Sequence, residues 1–347
     1  MKHLKNIDFK NKRVLVRTDF NVPIEDGKIV DDYRIRQAIP TIEHIISQPK
    51  SKIVIISHLG RPDGKVTPEF SLRSIAEKLE ELMKKEIIFI DDILSKEGDA
   101  IVRNLKDGQI ALAENIRFYP EEEKGDEQFA INICHHFGFF VNEAFSASHR
   151  AHASVSEIPK FKPSCAGLDF EKEIEELSQA LKPIKRPAIA IIGGAKIETK
   201  MPLIENLADT YDAVLVGGKI AVEAKQQNLE FKKNVVLPED YTDETMDIGP
   251  ATCEKYKKVL AAASFLVWNG AMGKFEDSRY EKGTKEILEA ICGSDAHRIA
   301  GGGETVEYIN IQKKSNCFNF ISSGGGAMLE FLSGKILPGI EALEKSA

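Results

Sequence analysis

Short runs of consecutive apolar residues alternate along the chain with stretches in which apolar residues recur every three or four positions. In the first half the runs fall at 13–20, 52–58, 86–91, 109–114 and 139–144, with helical patterns such as 34–47 and 71–84 between them. In the second half they fall at 188–193, 213–217, 234–237, 265–268, 298–300 and 318–321, with helical patterns at 201–210, 250–263, 284–292 and 327–332. A run such as Ile53-Val54-Ile55-Ile56 has no polar face, which predicts a strand covered on both sides. Strands alternating with helices predict βαβ units and parallel sheets. The expected fold class is therefore α/β, with two doubly wound Rossmann-like domains joined by a helix.

Length supports the division, since 347 residues correspond to about two domains at roughly 150 residues each. Pro163, Pro183 and Pro187 punctuate the boundary region, and 170–181 between them reads as one amphipathic helix with Ile174 and Leu177 inward and its Glu residues outward. A single large sheet with a peripheral helix is the alternative. The reading places the domains at 1–169 and 170–334. A net charge of -7 argues against a general nucleic-acid binder but leaves room for a local basic pocket. Five scattered cysteines, none in a CxxC, read as buried thiols of a reducing compartment. No signal-peptide pattern opens the chain and no apolar run reaches the roughly 20 residues of a membrane span, so a soluble cytoplasmic protein with no membrane partner is expected.

Ligands of parallel sheets bind beyond the carboxyl ends of the strands. In the first half these ends lead to Asp19, Asn21 and Arg34, to His58 and Arg61, to Arg117, and to His149-Arg150-Ala151-His152. Any one arginine alone reads as solvated surface. Four at one structural address predict a pocket for a small anion, because guanidinium forks match carboxylate and phosphate oxygens. The His149/His152 pair lacks an evident third ligand and makes a weak metal candidate.

In the second half the strand ends lead to glycines: Gly193-Gly194, Gly217-Gly218, Asn269-Gly270, Gly301-Gly302-Gly303-Glu304 and Gly324-Gly325-Gly326. Glycine lets backbone N–H groups at helix N-termini approach phosphate oxygens, so five such turns predict a nucleotide site. Neither GxxxxGK[ST] nor a first-turn GxGxxG is present, which weakens a Walker-type or dinucleotide reading. Lys196 and Lys200 stand four apart on the helix after Gly194, so they are expected on one face, there to neutralise a phosphoryl group or to form a solvated pair. Glu304 opens a helix, either capping it or holding Mg²⁺, and Glu276 either meets a ribose or is simply exposed. An anion pocket in one domain and a nucleotide in the other suit phosphoryl transfer, which rests on positioning and charge neutralisation and needs the domains to close against water.

At these residues the sequence resembles the phosphoglycerate kinase family. The resemblance is carried by Arg17-Thr18-Asp19-Phe20-Asn21-Val22-Pro23, Ser57-His58-Leu59-Gly60-Arg61-Pro62, Glu114-Asn115-Ile116-Arg117-Phe118, Gly193-Gly194-Ala195-Lys196, Val267-Trp268-Asn269-Gly270 and Ser323-Gly324-Gly325-Gly326-Ala327, all in order. It implies reversible phosphoryl transfer from 1,3-bisphosphoglycerate to ADP, with Mg²⁺ on the nucleotide. It also implies a monomer whose C-terminal segment, 335–347, returns to the first domain. By motif, Asp19, Asn21, Arg34, His58, Arg61, Arg117 and Arg150 would bind 3-phosphoglycerate, with Arg34, Lys196 and Lys200 catalytic. Gly194, Lys196, Lys200, Gly217, Asn269, Glu276, Gly302, Gly303, Glu304, Thr305 and Gly324–Gly326 would hold the nucleotide, Glu304 also meeting the metal.

The sequence departs from the family pattern in several places. Glu304 and Glu143 stand where Asp is usual, and Ala271 replaces the proline of Asn-Gly-Pro. Between Gly218 and Asp247 several dozen family residues are missing, and Thr245 stands where Gly is usual. These changes leave open a trimmed nucleotide-binding relative with reduced turnover. A dehydrogenase is disfavoured for want of a dinucleotide fingerprint. Retention of both lysines and all four arginines favours the kinase.

Overall fold

A computed structural model describes residues 1–242 and 245–346. The chain forms two units, Met1–Glu173 with the residues from Ile336 on, and Ile174–Lys335. The first contains β1 (Arg13–Arg17), the hairpin β2 (Ile24–Glu25) and β3 (Lys28–Ile29), α1 (Tyr33–Ile46), β4 (Lys52–Ile56), α2 (Arg73–Met83), β5 (Ile87–Ile90), α3 (Lys96–Asn104) and β6 (Ile110–Ala113). It continues with α4 (Pro120–Lys124), α5 (Glu127–Cys134), β7 (Phe139–Asn142), α6 (Ile158–Phe161) and β8 (Ser164–Ala166), and α7 (Leu168–Leu181) runs on into the second unit. Its six-stranded sheet has the order β5-β6-β4-β1-β7-β8, parallel throughout.

The continuous apolar strands are explained by two cores. Val14 and Val16 join the α1 and α2 residues Ile42 and Leu79 on one face. Leu15 joins Val102 of α3 and Ile133 of α5 on the other. Successive strand residues point to opposite faces, so both must be apolar when helices cover both.

The second unit contains β9 (Ala188–Ile192), α8 (Ile197–Thr210), β10 (Ala213–Val216), α9 (Gly218–Gln226), β11 (Val235–Val236), α10 (Pro250–Ala261) and β12 (Phe265–Asn269). It closes with α11 (Lys282–Cys292), β13 (His297–Gly301), α12 (Gly303–Ile311), β14 (Phe320–Ser322) and α13 (Gly326–Leu332). The strand order is β11-β10-β9-β12-β13-β14, again parallel. The last helix, α14 (Pro338–Lys345), belongs to the first unit. There the Gly339 N–H donates to the Ser148 carbonyl at 2.9 Å, and Gly339 leaves no room for a Cβ beside the Ser148 hydroxyl.

Three local expectations change. The helix α7 does not turn all its Glu residues outward: Glu173 is 1% exposed, whereas Ile174 is only half-buried. Phe170, Leu177 and Ala180 supply its apolar stripe instead. The three-residue strand β8 and the hairpin carry too few residues to show a period. Among the cysteines, Cys134, Cys165 and Cys253 are buried, but Cys292 and Cys317 are only half-buried.

Candidate active site

Strand register brings the first unit's polar residues to one edge. Arg17 pairs with both Ile56 and Asn142, so the segments after β1, β4 and β7 leave the sheet side by side. The Ser57 hydroxyl donates to the Thr18 carbonyl at 2.8 Å and accepts from the Phe20 N–H at 2.9 Å, locking the first two segments together. Asn21 accepts the Gly60 N–H at 2.9 Å, and Arg117 donates to the Gly60 carbonyl at 2.8 Å, so the turn carrying Arg61 is held from both sides. Arg61 itself is exposed.

Asp19 is the anionic hub. Its carboxylate accepts Arg34 at 2.5 Å, the Asn21 N–H at 3.0 Å and the Ser146 hydroxyl. Burial opposes its charge, but the Arg34 guanidinium and these hydrogen bonds outweigh burial and hold its pKa at about 2. His58 is buried, and burial together with Arg17, Arg117 and Arg34 drives its pKa well below the usual histidine value despite Asp19. It is therefore a neutral imidazole whose Nδ1 faces the Arg17 guanidinium at 3.2 Å.

Arg117 is 3% exposed, and its pKa falls to about 10 through burial and then through Arg17 and Arg150. His152 is pushed down to about 3 by burial and by Arg117, Arg17 and Arg150. Arg34 thus acts on His58 and Arg150 on Arg117, so these cations cluster electrostatically, with Glu123 beside Arg117 at 3.3 Å as a counter-ion. Sequence reasoning missed Arg17 as a member. Its Nε donates to the Ser154 hydroxyl at 2.9 Å, and that hydroxyl donates in turn to buried Glu122 at 2.5 Å. The available signal was a charged residue at the carboxyl end of β1, directly after the apolar Val14–Val16.

The second unit gathers its glycine turns in the same way. Ile192 pairs with Val216 and Asn269, Trp268 with Ala300, and Gly301 with Ser322, so the turns leave one sheet edge together. The turn at Ala271 does not need the missing proline. Gly193 donates to the Asn269 carbonyl, Gly194 to that of Ala271 and Gly218 to that of Met272, at 2.9, 3.1 and 2.9 Å. The Gly270 N–H, in turn, donates to the Thr305 hydroxyl at 2.6 Å. Thr305 and Asn269 are buried and engaged in this scaffold.

Lys200 is half-buried and donates to the Asn269 side-chain oxygen. Burial lowers its pKa to about 8, with Glu304 acting to raise it. Gly194 separates the two: a Cβ there would lie 3.7 Å from Lys200 Cε and 3.9 Å from a Glu304 oxygen. Lys196 departs from expectation. It has extended backbone at the cap, α8 begins one residue later, and its side chain is exposed, so the two lysines are not a helical i,i+4 pair.

A cavity of about 450 Å³ adjoins this turn, within the range of small-molecule pockets. It is lined by the expected Gly194, Glu276 and Glu304 and by residues sequence reasoning did not name, chiefly Val222, Phe275, Met246 and Lys274. Gly217 does not line it and sits against Met272, which leaves no space for a Cβ. Gly302, Gly303 and Gly324–Gly326 lie outside its lining, at the starts of α12 and α13.

A family model described as phosphoglycerate kinase matches residues 4–240 and 222–335. The chain belongs to the phosphoglycerate kinase family. Its two matched pieces overlap at 222–240, inside the stretch where the sequence is shorter than the family pattern. The phosphoglycerate kinase of Coprothermobacter proteolyticus is 38% identical over 388 aligned residues, covering 99% of this chain and 98% of that protein. That of Borrelia garinii is also 38% identical, with 97% of each chain covered. Solved phosphoglycerate kinases are similar in structure. That of Coxiella burnetii superposes with a TM-score of 0.86 at 34% identity, over 99% of this chain and 98% of that one. That of Pyrococcus horikoshii gives 0.83 at 32%, over 100% and 99%. Coverage of this extent argues against the trimmed, turnover-deficient reading. No described helix is long and apolar enough to cross a membrane.

Proposed function

We propose that the chain catalyses reversible phosphoryl transfer between 1,3-bisphosphoglycerate and ADP, giving 3-phosphoglycerate and ATP, the glycolytic reaction of its family. The observation that carries this reading is the cluster of arginines around buried Arg117, with Arg17 buried behind it and Arg34 and Arg150 half-buried. Like charges packed where water is scarce repel one another, and a ligand rich in phosphate and carboxylate oxygens relieves that repulsion. Arg34, Arg61, Arg117 and Arg150 bind the acidic substrate, Asn21 adds a polar contact, and Asp19 and His58 hold the guanidinium groups in place. Neutral His58 adds no positive charge, so the attraction for a polyanion rests on the guanidinium groups.

Lys200 meets the migrating phosphoryl group, Lys196 reaches the nucleotide phosphates from its exposed cap position, and Arg34 serves the acceptor side. The turns at Gly194, Gly302–Gly303 and Gly324–Gly326 present N–H groups to phosphate oxygens. Gly217, Asn269 and Thr305 support those turns from behind, and Glu276 meets the ribose at the rim of the cavity. The donor set fits Mg²⁺, which binds through one or two carboxylates plus substrate phosphates, and Glu304 supplies a carboxylate beside Gly194. When bound, the ion neutralises phosphate charge. The chain's own groups orient the two substrates and exclude water, since a phosphoryl group in flight is otherwise lost to hydrolysis.

We place the acidic-substrate site in a domain comprising 1–169 with 335–347, and the nucleotide in 170–334. The protein acts as a cytoplasmic monomer, with no nucleic-acid or membrane partner. A coupled assay with 3-phosphoglycerate, ATP and Mg²⁺ tests the reading. Turnover is expected; nucleotide binding with no turnover would reject it.

A further inference from the structure

We infer that Asp99, His135 and His136 form a binding site for one transition-metal dication of the zinc class, remote from the arginine pocket. One ligand atom from each lies within 4.8 Å of the other two. The cluster sits where β1 begins, because the Arg13 guanidinium reaches the His136 carbonyl at 3.2 Å and the Arg103 carbonyl at 3.1 Å. The pocket lies at the other end of that strand, about 13 Å of extended chain away.

The donor atoms are prepared for an ion. His135 Nδ1 lies 2.6 Å from the Asn132 carbonyl and must donate to it, so in the neutral ring Nε2 carries the lone pair. Such a backbone acceptor is the usual second partner of a metal-ligating histidine, fixing its tautomer. That Nε2 lies 3.9 Å from Asp99 Oδ1. In that neutral form the two acceptors repel, and a cation between them, a metal ion in competition with a proton, reverses the sign. Ligands of a tetrahedral zinc stand roughly 3.3 Å apart, given bonds of about 2.0–2.1 Å, so only a small closure is needed.

His136 Nε2 meets the same Asp99 oxygen and also faces Arg103 Nε at 3.5 Å. As a donor it suits the carboxylate but opposes the guanidinium N–H; as an acceptor it suits the guanidinium but opposes the carboxylate. A metal on Nε2 and Oδ1 satisfies both of those atoms once they part to admit it, and the Arg103 guanidinium then turns from Nε2 to the other carboxylate oxygen. Arg103 keeps Asp99 Oδ2 at 2.9 Å, leaving Oδ1 as a monodentate ligand. The backbone is anchored too, since Lys162 donates to the His135 carbonyl at 3.4 Å and Arg13 to that of His136. Two imidazoles and one carboxylate suit zinc, cobalt or nickel and not Mg²⁺ or Ca²⁺, and they leave a fourth position for water. The ion would clamp α3 to the segment that follows α5.

The test uses the full chain, stripped by chelator and titrated with Co²⁺ and then Zn²⁺. Visible bands of four-coordinate cobalt should saturate at one equivalent and be bleached by zinc. His136→Ala should weaken binding at least ~100-fold, beyond the usual cost of a second-shell change, and exposed His135→Ala should do the same without risk to the fold. Zinc should raise the melting temperature of the parent and not of either variant, and both variants should keep the parent's turnover. Absence of the bands in the parent, or bands of equal intensity in both histidine variants, would overturn the site.

Discussion

The Lys200 ammonium donates to the side-chain oxygen of Asn269, whose amide nitrogen donates to the Gly301 carbonyl at 2.8 Å. One buried asparagine thus ties the lysine at the β9 turn to the glycine turn after β13. The lysine is aimed before any ligand arrives, which is the condition under which a charge contributes most to a transition state.

Lys200→Ala should lower kcat by at least ~100-fold in the coupled assay, the usual cost of removing one preorganised partner. An unchanged rate would discard its assigned role.

The pH profile carries a second prediction for this residue. A lysine with a pKa of about 8 loses its charge above that pH, so kcat/KM should fall on the alkaline side with a limb near 8. Lys200→Arg cannot lose its proton there, so whatever activity it retains should lack that limb.

Arg34→Ala should reduce kcat as well as raise the KM for 3-phosphoglycerate. Its loss also frees Asp19, whose pKa of about 2 depends on Arg34. A change in KM alone would restrict Arg34 to binding.

Glu143 gives a stability prediction. It is buried, accepting the Thr41 hydroxyl at 2.5 Å and the Asp169 and Phe170 N–H groups at 3.2 and 3.1 Å, at the start of α7. Burial and then Asp169 raise its pKa to about 8, against an ordinary value of 4.5. Between those values the folded state keeps a proton that the unfolded state has lost, so its contribution falls as pH rises from about 5 to 8. Glu143→Gln should flatten this dependence. Urea melts at pH 5 and pH 8 should differ by at least about 1.4 kcal/mol less in the variant than in the parent, one pKa unit's worth.

Gly302→Ala should destabilise the second unit and weaken nucleotide binding. Its φ is +100°, and a Cβ would meet the Asn269 amide at 2.8 Å. A cost of roughly 1–3 kcal/mol is expected from the backbone alone, readable as a lower midpoint in denaturant. A midpoint equal to the parent's would refute it.

The run Ile53–Ile56 and the glycines after each strand of the second unit were legible from sequence because they follow from local rules: a two-sided cover needs apolar residues on both faces, and a strand-to-helix turn needs conformational freedom. Arg34, Arg117 and His58 were legible for the same reason, since strand ends share an address in any parallel sheet. The relay from Arg17 through Ser154 to Glu122 was not, because its members are up to 137 positions apart and meet only when β7 pairs with β1. Lys196 shows a local limit: spacing counts helix turns but does not say at which residue the helix starts.

The amino-acid sequence by itself determined the alternation of strands and helices, the two parallel sheets and the chemical character of each set of strand ends, because these depend on near neighbours. The tertiary structure alone decided which charges are buried together, which histidines stay neutral and which carboxylates stay ionised. Those outcomes depend on desolvation and on distances between residues far apart in the chain, and neither exists until the sheets have formed.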